Sequence, residues 1–219
     1  MNCKLRLRFS KTGKARYISH LDLMATMRRA LLRAGVDLKY SEGFNPHPYM
    51  SIALPLSVGC GSICELMDIG TTFDLLPDGL PEIINAVLPE GLDVINVYKS
   101  ERKFNNIAWI EISGVLYYDA GVPPSAVERL TKRFGEKSIV VSKKTKSGIS
   151  DIDISPYIQG ISFIQRDEVM MSAKLSAQNP SINPENLMSA LTGDYESLKP
   201  DFHNFTRKEV FDKDMCVFQ

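Results

Sequence analysis

The sequence predicts an α+β fold of two tandem ferredoxin-like halves, each a βαββαβ run making an antiparallel sheet, with the second half decorated. Two observations carry that expectation. Segments that alternate apolar and polar residues recur along the 219-residue chain. Between them lie fewer segments whose apolar residues fall at steps of three and four, the helical period. SERKFNN (100–106) is the expected boundary, giving domains 1–100 and 101–219.

CKLRLRF (3–9) sets Leu5, Leu7 and Phe9 against Lys4, Arg6 and Arg8, which predicts a half-buried strand with a basic outer face. SKTGKARY is a polar turn around Gly13. Ser19 then opens a helix as its N-cap, with Asp22 placed as in a capping box. Met24, Met27 and Leu31 form the apolar stripe of that helix, and Gly35 ends it. Residues 49–59 and 63–73 read as strands joined by a CGS turn, 80–88 as a short helix begun by Pro81, and 92–100 as a strand.

The second half repeats the scheme. Strands are expected at 107–118, 138–144 and 149–158, the last two around the basic turn KKTKSG. Helices are expected at 123–134 and 184–193. Residues 161–176 read as a hairpin or one long bent strand, and 204–212 as the last strand.

Net charge is zero, but the charges are segregated. The balance is +7 over residues 1–50, −7 over 51–98, +5 over 99–150 and −5 over 151–219. Such a pattern suits a face for a polyanion, and it equally suits basic and acidic segments that pair with each other. The four cysteines are too scattered for a disulfide framework. No apolar run approaches a membrane span, and the start MNCKLRLRFSKTGK lacks the apolar region of a secretory signal. A cytoplasmic setting without a membrane is expected. Phosphate-loop, dinucleotide and zinc-protease motifs are absent. Cys60 and Cys64 read as ordinary small residues, so neither a metal nor a cofactor is expected.

Candidate site residues cluster early. His20 stands in the first turn of the predicted helix, where free N–H groups favour an anion. It could bind phosphate, act as a general acid or base in cleaving RNA, or continue the packed stripe. In GFNPHPY (43–49), Pro46 and Pro48 stiffen the chain and present Asn45, His47 and Tyr49. The pair expected to share a cleft, and to be catalytic if any residue is, is His20 and His47. Phosphate contacts are expected from Lys11, Lys14, Arg16, Arg28, Arg29, Arg33 and Lys39, with Asn45 and Tyr49 as further RNA contacts.

Taken together, RLRFSKTGKARYISHLDLMATMRRALLRAG, YSEGFNPHPYMSIALPLSVG and ELMDI resemble a bacterial family of unknown function, the radical-SAM-linked domain. The distinctive blocks are SHLDL and GFNPHP, both within residues 6–70. The resemblance implies a radical-SAM protein as partner and a setting in RNA modification or translation. The chain carries no radical-SAM region of its own, so the partner would be separate. The expected function is an RNA-binding accessory protein. A small metal-independent ribonuclease or RNA-modifying enzyme using His20 and His47, and a structural subunit with no nucleic-acid role, are the alternatives.

Overall fold

The computed structural model describes residues 3–72, 77–145 and 148–219. The chain is mixed α+β with antiparallel strand pairing, and it divides into one unit of residues 1–106, together with Gln219, and another of 107–218. The division follows the SERKFNN stretch, whose Ser100 and Phe104 belong to the first unit: the Ser100 N–H donates to the Lys4 carbonyl (2.9 Å), and the Phe104 ring centre lies 4.4 Å from the Arg6 guanidinium carbon.

In the first unit the order is β1 (Cys3–Lys11), α1 (His20–Arg33), β2 (Met50–Ile52), β3 (Gly61–Thr71), α2 (Leu80–Asn85) and β4 (Leu92–Lys99). The sheet runs β4-β1-β3-β2, and each pair is antiparallel. Ser19 caps α1, accepting from the Asp22 N–H at 3.2 Å and donating to the Asp22 carboxylate at 2.7 Å. The helix buries Leu23, Met27 and Leu31 on Leu5, Leu7 and Phe9 of β1 and on Met67 and Ile69 of β3. Burying each such side chain contributes about 1.5–3 kcal/mol, and this seam is what holds the helix to the sheet.

Three expectations for this unit are corrected. The strand read over 49–59 is only Met50–Ile52, because Leu54 turns the chain with φ 46° and Pro55 has no N–H to pair. The CGS turn is instead the start of β3, which runs Gly61–Thr71 rather than 63–73; residue 73 lies outside the described residues. The outer face of β1 is not a uniformly exposed basic face: Arg6 is fully buried. Its guanidinium is fixed by Asp68 opposite it on β3, by the Arg102 carbonyl and by the Phe104 ring.

The second unit holds β5 (Trp109–Tyr117), α3 (Ala126–Phe134), β6 (Val140–Thr145), β7 (Gly148–Asp153), β8 (Ile158–Gln165), β9 (Val169–Ser176), α4 (Pro184–Ser189) and β10 (Phe202–Phe211). Its sheet runs β10-β5-β9-β8, again antiparallel, with β6 and β7 forming a separate hairpin. Residues 161–176 fall within the β8–β9 hairpin. The expected strand 149–158 stops at Asp153, whose carboxylate accepts the Ile139 and Ser155 N–H groups and turns the chain. Those same N–H groups stabilise the carboxylate and hold its pKa well below the usual carboxylate range. The helix read over 184–193 ends at Ser189, and Gly193–Leu198 forms a 3-10 turn instead. The basic turn KKTKSG falls partly on residues 146 and 147, outside the described residues. Gly114, central in β5, faces Phe205 of β10 and Met171 of β9. A Cβ there would meet the Phe205 ring at 2.7 Å, so the absent side chain is what lets both large residues into the core.

Candidate nucleic-acid interface

The first unit has two ends, and the predicted site residues divide between them. At one end, Lys11 closes β1 opposite Ser62 of β3. The 3-10 turn Gly13–Tyr17 and the start of α1 follow there. Lys14 and His20 are exposed at this end, so His20 is not the packed residue that the stripe pattern allowed. Arg16 donates to the Gly59 carbonyl at 2.6 Å, which ties the turn to the loop before β3.

Lys11 does not join them at the surface. It is buried, and its ammonium donates to the carbonyls of Arg16 (3.1 Å) and Ile18 (3.2 Å). Burial lowers the Lys11 pKa, and the neighbouring Glu65 carboxylate opposes that fall. This lysine pins the turn that leads into α1, rather than facing a phosphate. The alternation in β1 marked it as basic and terminal but could not show that the following turn folds back over it.

At the other end, Cys3 pairs with Thr71, and the segment before β2 is fastened there. Leu38 bridges to Thr71, the Lys39 N–H donates to the Gly70 carbonyl (2.9 Å), and Tyr40 bridges to Pro48. Residues 41–47 form a closed loop in which the Ser41 N–H donates to the His47 carbonyl and the His47 N–H to the Ser41 hydroxyl. Phe44 at its tip, Asn45 and His47 are exposed. One nine-residue strand, roughly 25 Å at about 3.3 Å per residue, separates this end from that of His20. His20 and His47 therefore do not share a cleft, and the fold does not assemble them as a catalytic pair.

Arg28, Arg29 and Arg33 are exposed on α1. Arg33 donates to the Val87 carbonyl at 2.9 Å, fixing the end of α1 to the turn after α2.

Sequence reasoning missed the pocket beside the Pro-stiffened loop. It has a volume of about 420 Å³ and includes Lys4, Lys39, Tyr49, Ser51, Asp68 and Ile69 in its lining. Tyr49 lies over Gly70, where a Cβ would stand 3.1 Å from the Tyr49 Cβ; the missing side chain makes the room. The Lys39 ammonium sits 5.6 Å from the Tyr49 ring centre. Asp68 is buried at the floor, paired with Arg6 at 2.7 Å and with Lys4 at 2.7 Å. The signal in the sequence was Asp68 opposite Arg6, with Lys4 opposite Gly70, once β1 and β3 pair, which only the register supplies. Among the described residues no group of three or more His, Cys, Asp or Glu side chains could hold a metal ion, and no helix is long and apolar enough to cross a membrane.

The site is thus a basic, aromatic-edged pocket on an antiparallel α+β unit. The chain belongs to a bacterial family described as "uncharacterized protein conserved in bacteria" (DUF2344), which matches over residues 4–194. A search of curated proteins finds no match. Among solved structures, one titled "Crystal Structure of an Unknown Protein from Galdieria sulphuraria" is similar at 10% identity and a TM-score of 0.28, covering 94% of this chain and 99% of that one.

Proposed function

We propose that the protein is an RNA-binding accessory protein, acting in the cytoplasm beside a separate radical-SAM protein in RNA modification or translation, with no reaction of its own. One observation carries the RNA part. Phe44 stands at 112% relative exposure on a loop stiffened by Pro46 and Pro48, with Asn45, His47, Tyr49 and Lys39 close along the chain. An aromatic held wholly in solvent gains nothing for the fold. With Lys39 and Tyr49 in the same segment, it suits stacking on an unpaired base. Lys14, Arg28, Arg29 and Arg33 are the further phosphate contacts in this reading. The radical-SAM partner rests on the resemblance of the SHLDL and GFNPHP blocks alone. We also read both units as ferredoxin-like, a reading supported by their matching strand orders, β4-β1-β3-β2 and β10-β5-β9-β8.

The test is what accompanies the untagged protein through purification from its own cells. RNA together with a radical-SAM protein is the expected company. Phe44→Ala should release the RNA without lowering the melting temperature, since the side chain is packed on nothing. Purification free of RNA, with no binding of single-stranded RNA added back, would sink the proposal.

A further inference from the structure

The pocket beside Tyr49 has a chemistry of its own. Asp68 is its carboxylate, and both carboxylate oxygens are already engaged: one with the Arg6 Nε, the other with the Arg6 Nη2 and the Lys4 ammonium. The buried Arg6 already balances Asp68, so Lys4 and Lys39 leave the pocket lining with a positive balance. Half of the Tyr49 surface stays open, and Gly70 beneath it presents no side chain. A cavity of about 420 Å³ is wider than a bare phosphate needs, and it falls in the range of small-ligand sites. The fitting ligand is therefore planar and apolar at one part and anionic at another.

We infer that this pocket takes a single nucleotide, with its base on the Tyr49 ring and its phosphate between the Lys4 and Lys39 ammonium groups. The inference rests on the RNA-binding reading in taking that nucleotide from a strand. A free nucleoside monophosphate has the same chemistry. Lys39 now rests over the Tyr49 ring. A base stacked on that ring would leave the Lys39 ammonium at its edge, within reach of the phosphate. The Ser51 hydroxyl, on β2 opposite Asp68, is placed for the ribose or a base edge.

Calorimetric titration of the full chain with the four nucleoside 5′-monophosphates, the matching nucleosides and a short single-stranded RNA tests this. Monophosphates should bind, and nucleosides should bind about tenfold more weakly or worse for want of the charged contacts. Lys39→Ala and Tyr49→Ala should each weaken monophosphate binding about fivefold or more, whereas Tyr49→Phe keeps the stack and most of the affinity. Gly70→Ala, which crowds the Tyr49 Cβ, should weaken it as well. Melting temperatures of these variants show that each is folded. Changing Arg28 and Arg29 together to Ala should weaken RNA alone. Monophosphates that fail to bind, or that bind all these variants as they bind the wild type, overturn the pocket even where RNA binds well. Monophosphates that bind and displace RNA support both readings. If they bind without displacing RNA, or where RNA does not bind, the pocket stands as a free-nucleotide site and its link to the strand falls.

Discussion

Tyr118 is buried, and its hydroxyl donates to the Leu198 carbonyl at 2.8 Å. Burial first, then the Asp201 and Glu168 charges, push this phenol up to about 12 from 10.0. The fold prefers the neutral form, so its contribution is whole below pH 10 and is lost as pH climbs towards 12. Tyr118→Phe should cost about 0.5–1.5 kcal/mol at neutral pH. It should also flatten the decline of stability above pH 10. Urea unfolding of both proteins at neutral and alkaline pH reads this; parallel alkaline declines would refute it. Tyr98, facing Arg6 across β1 and β4, is likewise pushed up by burial, with the Arg6 charge opposing. In both places a polar residue of ordinary appearance acquires its chemistry from what covers it.

At the scale of the element, β5 shows how a single position controls packing. Its burial alternates without a break, and Gly114 occupies an inward position between Phe205 and Met171. Gly114→Ala places a methyl 2.7 Å from one and 2.8 Å from the other. Overpacking of that kind should cost about 1–3 kcal/mol. Combining it with Phe205→Leu should recover part of the loss, because the two changes share one space. An unchanged unfolding midpoint for Gly114→Ala would show that the sheet opens to admit the methyl. Helix α1 is the contrasting case, legible in its own fourteen residues and their cap. Ser19 and Asp22 close its first turn, and Leu23, Met27 and Leu31 fall on one side because 3.6 residues make a turn.

For the whole molecule, the charge pattern is the feature with consequences in solution. The basic first fifty residues are drawn down by burial: Arg6 is paired with Asp68, and Lys11 is enclosed by carbonyls. Lys14, Arg28, Arg29 and Arg33 remain exposed, and Lys39 partly so. If four to six cations reach phosphates, the logarithm of RNA affinity should fall with the logarithm of salt at a slope of about −3 to −4, at about −0.7 per contact. Fluorescence anisotropy of a labelled strand across a salt series measures that slope. Affinity indifferent to salt would mean that the segregated charges serve pairing within the fold.

Local period and punctuation determined much of this protein from the sequence alone. Strands β1, β4 and β5 and the cap and stripe of α1 all follow from patterns a few residues long. Several elements are shorter than their patterns, among them β2, β7, α2 and α4, where Leu54 with Pro55, the Asp153 turn and the ends of the two helices interrupt a continuing apolar run. Only the tertiary structure decided which charges remain at the surface. Alternation assigns residues to faces but does not say what lies over a face, so Arg6 and Lys11 read as surface cations and are buried. The same limit separates His20 from His47. They are near in sequence, but α1 and the segment after it carry the chain back along β1 to the opposite end. Lys4, Lys39, Tyr49 and Asp68 meet for the converse reason: pairing of β1 with β3, and of the Lys39 and Tyr49 backbone with Gly70, joins segments that no local pattern connects.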